Sequence, residues 1–185
     1  MALKSTIFKA DLQVSDLDRQ HYGTYALTVA RHPSETDERM MVRILAFALN
    51  AGERLEFGKG LSTDEEPDLW LRDYTGAIEQ WIDVGLPDPK RLRKASGRSP
   101  RVRVYTYGGR GVDVWWRQNG GDLGRISNLS VINLPPEATQ AMAALAERSM
   151  ALQCTIQDCQ LWFGTQAHTL SIQPVALLQA AEENA

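Results

Sequence analysis

An alternation of apolar and polar residues near the N-terminus constrains the fold more than any other feature of this sequence. From Thr6 to Asp16, apolar residues take every second position, namely Phe8, Ala10, Leu12 and Val14. A period of two is typical of a β-strand with one buried face. Tyr25, Leu27 and Val29 repeat the pattern after Gly23, so we predict two antiparallel strands joined by a polar loop.

A largely buried helix is predicted next, over 35–50. Pro33 disfavours helical geometry at His32, and Ser34 is well suited to cap a helix N-terminus. Apolar residues then recur at helical spacing on one stripe, and Gly52 supplies a C-terminal stop. The stripe consists of Met41, Ile44, Leu45 and Ala48, widened by Met40 and Phe47.

The rest of the chain mixes strands and helices, which predicts an α+β fold. We predict a strand at 54–57, a loop over 58–66, a hairpin over 68–84, a helix from Pro89 to about 96, and a strand at 102–107. The segment 112–118 is ambiguous between helix and strand, and the glycines on both sides favour a short helix. A strand at 129–134 and a helix from 136 to 149 follow. Three strands, at 151–156, 160–163 and 169–175, complete a single domain of residues 1–185, because no linker divides the chain.

Composition excludes several classes of protein. Hydrophobic residues make up 43% and charged residues 23% of the chain, as in globular proteins. No signal peptide or membrane-spanning run is recognisable, so we expect a cytoplasmic protein without a membrane partner. Cys154 and Cys159 lack the companions of a zinc site and are expected to be free thiols.

Charge limits the nucleic-acid hypothesis to a local surface. The formal net charge is −3, whereas simple phosphate binders are usually basic. The basic run over 90–98, continued by Arg101 and Arg103, is the best local patch. A solvated helix face is the alternative interpretation of this run.

Two acidic residues, Asp68 and Glu79, are the strongest candidates for a chemical site. If Asp73 and Gly76 oppose each other across the hairpin turn, Trp70 lies opposite Glu79, and Asp68 is diagonal to Glu79 on the same face. Neighbouring carboxylates repel unless a cation joins them. Mg²⁺ or Mn²⁺ suits two such oxygen ligands and retains water that can serve as a nucleophile. A one-residue change of register would separate the two side chains.

These residues also resemble a known motif. Pro67-Asp68, ten intervening residues and Glu79 within an apolar strand resemble the PD-(D/E)XK nuclease motif. The predicted order over 35–107, a helix, three strands, a helix and a strand, is that of the common core of this superfamily. The resemblance implies a restriction-endonuclease-like core of mixed β-sheet flanked by helices, with additional N-terminal and C-terminal strands.

Over essentially its full length the chain resembles the YaeQ family, which has no established activity. Four segments carry this resemblance: Met1-Ala2-Leu3-Lys4, Ala30-Arg31-His32-Pro33-Ser34-Glu35-Thr36, the hairpin from Glu66-Pro67-Asp68 to Gly85, and Asn128-Leu129-Ser130-Val131. Several uncommon strings in the same order make a chance match improbable.

One position departs from the nuclease pattern. The motif has a lysine two residues after the second acid, and here that residue is Trp81. The resemblance implies that Lys94 of the following helix supplies the missing charge, and Arg72, on the same face of the hairpin by strand parity, is a second candidate. Glu35 occupies the place of an additional acid near the metal, and His32 could line the same cleft. Trp81 is otherwise a core or cleft-wall residue.

Three functions compete at this stage. The first is a metal-dependent phosphodiesterase that acts on nucleic acid through Asp68, Glu79 and Lys94. The second is a catalytically inactive protein of nuclease fold that binds nucleic acid or a protein partner through the same cleft. The third is a general interaction protein that uses the C-terminal strands, with the acids of 64–68 merely making a loop soluble.

Overall fold

Strands and helices follow one another in a mixed order, which confirms the predicted α+β class. A computed structural model describes residues 3–59 and 65–184. Within these residues the strands are β1 Thr6–Asp16, β2 His21–Arg31, β3 Leu55–Phe57, β4 Leu69–Arg72, β5 Ile78–Val84, β6 Arg101–Thr106, β7 Leu129–Asn133, β8 Ser149–Gln157, β9 Gln160–Gly164, β10 Thr169–Ile172 and β11 Val175–Leu178. The α-helices are α1 Asp37–Leu49, α2 Pro89–Arg98, α3 Arg110–Leu123 and α4 Pro136–Ala143.

The strands form two mixed sheets. The first sheet has the spatial order β10-β9-β8-β1-β2, in which β1 and β8 are parallel and the other neighbours are antiparallel. The second has the order β11-β7-β6-β5-β4-β3, with a parallel centre from β7 to β5. The predicted pairing of the first two strands is therefore confirmed, as is the order helix, three strands, helix, strand from α1 to β6.

Helix α1 lies between the two sheets and is buried almost all round. It packs against β1 and β8 of the first sheet, against β5 of the second, and beside α4. Its buried side chains run continuously from Met40 to Ala48 and include one charged residue, Arg43, which is 1% exposed. A charge in such a place needs a buried partner. Arg43 therefore points to a polar site inside the core.

The other face of the second sheet is covered by α2 and α3. Trp81, Leu92, Val104 and Trp115 belong to the apolar cluster between these helices and the sheet. Asp88 caps α2, because its carboxylate accepts a hydrogen bond from the backbone N–H of Lys90 at 2.7 Å. Helix α2 therefore begins just after β5, and its first turn lies beside the carboxyl end of that strand.

Three predicted element boundaries were wrong. Ser34 does not cap α1, because its hydroxyl pairs with the His32 ring at 2.6 Å, and Thr36 accepts from the backbone N–H of Arg39 instead. Helix α4 ends at Ala143, since the residues from Ser149 onward pair with β1.

The strand predicted at 169–175 is two strands in different sheets, β10 and β11, on either side of Pro174, which has no N–H for a ladder. The helix predicted at 112–118 is present and extends over the whole of α3. The loop predicted over 58–66 falls partly on residues 60–64, which lie outside the described residues.

Both cysteines are free, as predicted. Cys154 is buried in the first sheet and Cys159 is exposed. Burial raises the pKa of the Cys154 thiol to about 12, with a smaller contribution from the charge of Asp16. Cys154 is therefore an apolar core residue rather than a nucleophile.

Candidate functional site

The register of the β4–β5 hairpin decides which acids meet. Trp70 pairs with Trp81, and Leu69 pairs with Ile82. The predicted pairing of Trp70 with Glu79 was therefore wrong by two residues. One residue of this shift in pairing comes from the turn, in which Asp73 is paired with Ala77 rather than with Gly76. The second residue of the shift comes from a bulge. Arg72 pairs with Ile78 and Leu71 pairs with Gln80, so Glu79 is an extra residue in β5.

The longer turn has a local cause in the sequence. The Asp73 carboxylate accepts hydrogen bonds from the backbone N–H groups of Thr75 and Ala77 and from the Thr75 hydroxyl. Gly76 takes a φ of 89°, which a residue with a side chain rarely adopts. Together these features favour a three-residue loop that ends in a positive-φ glycine.

In this register the partner of Asp68 is Asp83, not Glu79. The Asp68 carboxylate lies at the carboxyl end of β5, where it accepts a hydrogen bond from the backbone N–H of Val84 at 2.8 Å. Glu79 lies five residues earlier on the same strand, about 16 Å away along an extended chain, and pairs with Arg54 at 3.0 Å. The structure therefore does not bring Asp68 and Glu79 together.

Arginines hold the acids at this end of the hairpin. Arg39 donates to Glu35 at 2.9 Å and to Asp68 at 2.8 Å, so one guanidinium joins two elements. Arg43 donates to both oxygens of Glu35, and Arg91 donates to both oxygens of Asp83 at 2.8 and 3.0 Å. We call this group the acid–arginine cluster: Glu35, Arg39, Arg43, Asp68, Asp83 and Arg91.

Local sequence explains how these residues meet. Glu35 comes directly before α1, and Arg39 and Arg43 follow at helical spacings of four and eight residues, on the side of the helix that it faces. Asp68 and Asp83 are brought together by the hairpin. Arg91 lies in the first turn of α2, whose start is fixed by its cap and by Pro89.

Burial makes the charge of Asp68 costly. Burial raises the pKa of the Asp68 carboxyl above its usual value, and the negative charge of Asp83 adds to the rise. Arg39 and the N–H of Val84 lower the same pKa without cancelling the rise. For Arg39, burial acts against the charged form, but Asp68 and Glu35 outweigh it and the pKa is raised. Within the cluster, therefore, the acids favour the charged form of Arg39, and Arg39 favours the charged form of Asp68.

A divalent metal ion does not fit the cluster in this arrangement. Both oxygens of Asp68 and both of Asp83 already accept hydrogen bonds from arginines or backbone. Three acids face three arginines, so an added Mg²⁺ or Mn²⁺ would leave an excess of positive charge in a buried place. Over residues 3–59 and 65–184, no three His, Cys, Asp or Glu side chains gather where they could hold a metal.

Of the other predicted site residues, Lys94, Arg72 and His32 are not members of the acid–arginine cluster, and Trp81 contacts it through the Arg91 guanidinium, 5.4 Å from the centre of its ring. Lys94 pairs with Glu65 at 2.6 Å on the surface, and Arg72 pairs with Glu56 and lies over the Trp70 ring. His32 contacts Ser34. Of the predicted set, the structure therefore brings together Glu35 and Asp68, through Arg39.

Four residues of the cluster were missed by the sequence analysis: Arg39, Arg43, Asp83 and Arg91. A signal existed for Arg43, because it interrupts the apolar run from Met40 to Leu49. A charged residue on a buried helix face is rare unless it is paired. Asp83 could have been found only from the correct length of the turn together with the bulge at Glu79.

Helix α2 adds a positively charged surface beside the cluster. Of the eight Lys or Arg residues between Pro89 and Val112, five lie on α2, and this range contains no acid although the chain as a whole is acidic. Arg91, Lys94 and Arg98, which we call the basic stripe, lie one above the other on one side of α2. The stripe faces the segment before β4, where Arg91 and Arg98 donate to the backbone carbonyls of Glu66 and Glu65.

The carboxylate of Glu65 shows that the basic stripe can hold an anion. It lies 2.6 Å from the Lys94 ammonium and 3.3 Å from Arg98. Its hydrogen bond and charge interaction with Lys94, followed by the charge of Arg98, lower the pKa of Glu65. All three side chains are exposed, so this ion pairing contributes little to stability and can be exchanged for another anion.

Comparisons with known proteins place the whole fold in one family. The family described as YaeQ protein matches residues 1–174. The uncharacterized protein YaeQ of Escherichia coli (strain K12) is 45% identical over 179 residues, which cover 97% of this chain and 99% of that protein. The uncharacterized protein YaeQ of Salmonella typhi is 44% identical over the same length and the same shares of both chains.

Two solved structures are similar to the present one. The crystal structure of the YaeQ protein from Xanthomonas axonopodis pv. citri is 49% identical in sequence, has a TM-score of 0.91, and matches 95% of this chain and 99% of its own. That of the YaeQ protein from Pseudomonas syringae is 34% identical, has a TM-score of 0.90, and matches 94% and 96%. In the part of the chain with described structure, no helix is long and apolar enough to cross a membrane.

Proposed function

Since this chain belongs to the YaeQ family and shares its fold over nearly the whole length of its relatives, we propose that it binds nucleic acid through a nuclease-like core that does not use a metal ion. The single observation that carries this proposal is the neutralisation of the Asp68–Asp83 pair by Arg39 and Arg91, next to the basic stripe of α2. The acids are stabilised without a metal, and the surface beside them is positively charged.

The order of elements supports a nuclease-like core. Helix α1, strands β3 to β5, helix α2 and strand β6 follow the order of the PD-(D/E)XK core. Asp68 follows Pro67, and Asp83 lies next to it across the hairpin. In this register the place of the motif lysine, two residues after the second acid, is taken by Gly85, which carries no charge. Cleavage chemistry therefore lacks the lysine, and binding does not require it.

Charge supports a polyanion as the partner. Helix α2 carries five Lys or Arg residues and no acid, which makes its surface positive on a chain of net charge −3. A field of this kind attracts the phosphate backbone, and its effect is strongest at low salt. Phosphates would replace the Glu65 carboxylate on Lys94 and Arg98, since that exposed pairing contributes little to stability.

The test is a charge reversal at one end of the basic stripe. Arg98→Glu should weaken binding of a fluorescein-labelled single-stranded oligonucleotide about tenfold and lower the salt slope of binding by about one. Lys9→Glu is the matched control, because it changes the net charge equally on an exposed position of the first sheet. Anisotropy in EDTA at about 50 to about 200 mM salt measures both variants. Equal weakening by both, or no binding by the wild type, would overturn the proposal.

A second candidate function is a metal-dependent phosphodiesterase. The adjacency of the Asp68 and Asp83 carboxyl groups, both of which are buried, favours it. In this case Arg91 would have to leave Asp83 when the metal binds. One experiment separates the candidates: the same oligonucleotide is incubated with the protein in EDTA and in Mn²⁺, with calorimetric titration of Mn²⁺ alongside. Our proposal expects binding without cleavage in both solutions.

Cleavage in Mn²⁺ would favour the second candidate, and variants would then locate its acids. If Asp68 and Asp83 are the ligands, Asp68→Asn and Asp83→Asn abolish cleavage while Glu79→Gln and Lys94→Met do not. If the pair predicted from the sequence is the correct one, Glu79→Gln abolishes cleavage, and Lys94→Met reduces it, while Asp83→Asn has little effect. The four variants therefore distinguish the two arrangements.

A further inference from the structure

A cleft between α2 and β5 combines three features that point to a ligand. Its volume is about 420 Å³, and it is lined by Trp81, Asp88, Lys90, Arg91, Lys94 and Ala95. It lies beside the acid–arginine cluster but holds none of the three acids of that cluster. Its features are a buried donor without a partner, cations from α2, and the N-terminal turn of that helix.

The buried donor is the indole N–H of Trp81. Trp81 is 2% exposed, and its Nε1 atom has no hydrogen-bond partner among the described residues. A buried donor that is left unpaired is costly, and native structures contain few of them. Trp115, in the same apolar cluster, shows the usual arrangement, because its indole donates to the carbonyl of Pro87 at 3.1 Å. Trp81 lines the cleft, so an acceptor oxygen brought by a ligand there would satisfy this N–H.

The ring of Trp81 is fixed by its neighbours. The guanidinium groups of Arg91 and Arg98 lie 5.4 and 5.5 Å from the centre of the indole ring, as in cation–π contacts. A fixed ring directs its N–H at one place. The place where an acceptor atom can meet the Trp81 N–H is therefore set before a ligand binds.

The charges around the cleft select an anion. Lys90 and Lys94 are one helical turn apart on the wall of the cleft, and the positive end of the helix dipole lies beside them. Asp88, the acid on the wall, is engaged in capping α2. Lys94 can leave Glu65 because both side chains are exposed, at 56% and 66%.

We propose that this cleft is a subsite for a phosphate monoester, and that in the complex it holds the terminal phosphate of a nucleic-acid strand. This inference rests on the proposed function for the strand itself. A terminal phosphate carries almost two negative charges at neutral pH and three strong acceptor oxygens. Two lysines and one indole N–H match that group, whereas a phosphodiester within the chain carries one charge and has two substituents to accommodate. The basic stripe beside the cleft would hold the neighbouring phosphates.

The experiment uses the ¹⁵N-labelled full-length protein and the indole resonances of its five tryptophans. The Trp81 signal is assigned from its loss in Trp81→Phe. The probes are a single-stranded oligonucleotide of about 20 nucleotides with a 5′-phosphate, the same oligonucleotide with a 5′-hydroxyl, one with a 3′-phosphate, and inorganic phosphate. We expect one phosphorylated end to bind about tenfold more tightly than the hydroxyl form and to shift the Trp81 resonance.

Three variants make the result specific. Trp81→Phe keeps the ring for Arg91 and Arg98 but removes the N–H, so it should abolish the preference for phosphate and leave the hydroxyl oligonucleotide bound as before. Lys90→Gln should reduce the preference in the same way without changing the core. Trp115→Phe is the matched control, because it removes an indole N–H that already has a partner, and it should retain the preference.

The outcomes separate this subsite from the proposed function. Equal binding of phosphorylated and hydroxyl oligonucleotides overturns the subsite and leaves nucleic-acid binding intact. A Trp81 shift with inorganic phosphate but no oligonucleotide binding supports the subsite and points to a free phosphate monoester, while the proposed function fails. If neither the oligonucleotides nor phosphate at about millimolar concentration shifts the Trp81 signal, the subsite is wrong.

Discussion

Arg39 is the residue on which the acid–arginine cluster depends. Its guanidinium donates to Glu35 before α1 and to Asp68 before β4, which is 29 residues later in the chain than Arg39. The two carboxylates are 2% and 6% exposed, and the Arg39 side chain is 15% exposed. Burial of this kind makes the loss of one partner far more damaging than the loss of a surface pair.

Replacement of Arg39 by Met should therefore lower the free energy of unfolding by about 3 kcal/mol or more. Asp68 would be left buried without its cation, while Glu35 would keep Arg43. Arg72→Met is the matched control, because it breaks the exposed pair with Glu56 and should cost less than about 1 kcal/mol. Urea unfolding of the three proteins at neutral pH gives the comparison. Equal losses in both variants would show that Arg39 has no structural role in the cluster.

Asp68 should give the stability of the protein a characteristic pH dependence. Its folded-state pKa is raised above 3.8, with burial as the main cause. A raised pKa means that the folded state takes up the proton before the unfolded chain does. The stabilisation that results is complete below the unfolded pKa and is lost as the pH rises through the folded pKa. Wild type should thus gain stability relative to Asp68→Asn as the pH falls from about 7 to about 4.

Asp73 provides the control of opposite sign. The Thr75 hydroxyl and nearby backbone N–H groups lower the pKa of this turn residue. Its contribution to stability is present above the unfolded pKa and is lost as the pH falls through the lower folded value. Unfolding curves of wild type, Asp68→Asn and Asp73→Asn over this pH range test both signs. A pH-independent difference between wild type and Asp68→Asn would refute the shift at Asp68.

At the scale of elements, the β4–β5 hairpin determines the site through its turn and bulge. The three-residue loop and the extra residue at Glu79 together move Asp83, rather than Glu79, next to Asp68. Strand β3 then holds β4 in place from the other side, where the Gly58 N–H donates to the carbonyl of Asp68 at 2.9 Å. The position of Asp68 therefore depends on contacts on both sides of a four-residue strand.

Gly58→Ala should disturb this element. A Cβ atom at Gly58 would lie 1.9 Å from the carbonyl oxygen of Pro67, a backbone atom that cannot move without displacing Asp68. We expect a loss of about 1 to 3 kcal/mol, as for overpacked sites. Gly97→Ala in α2 has open space around it and should be neutral or stabilising by up to about 1 kcal/mol. Thermal unfolding measures both, and an unchanged midpoint for Gly58→Ala would contradict the close approach.

For the whole molecule, α1 is the element that both sheets share. Leu45 and its neighbours on this helix belong to an apolar cluster that extends from β1 and β8 to β5 and β6. Neither sheet can bury its inner face without α1. The two sheets should therefore fold and unfold as one unit.

Unfolding of the wild type in urea should accordingly be a single transition. Tryptophans report on both sides of the molecule, since Trp81 of β5 and Trp115 of α3 share an apolar cluster of the second sheet and Trp162 lies on the first sheet. Their fluorescence and the far-ultraviolet circular dichroism should give the same midpoint. Leu45→Ala should lower the free energy of unfolding by about 2 to 5 kcal/mol, and the midpoints of both signals should fall together. Separate midpoints would mean that the sheets unfold independently.

Local patterns in the sequence determined the class of fold and most of its elements. The alternation over Thr6–Asp16 and the apolar stripe of α1 predicted a strand and a buried helix correctly, because each period reflects the geometry of one element. Glu35 and Asp68 were identified as site residues from a motif, and the structure brings them together through Arg39. Boundaries that depend on distant pairing, such as the end of α4, were predicted less well.

The tertiary structure alone decided which charges meet. Side chains in a strand change neighbours with each residue of register, so one longer turn and one bulge replaced Glu79 by Asp83 beside Asp68. The arginine partners come from α1 and α2, whose distances from Asp68 and Asp83 depend on the packing of helices against a sheet rather than on any local period. Local patterns determined the helices and strands, whereas the contacts between those elements determined which charged residues became neighbours in the site.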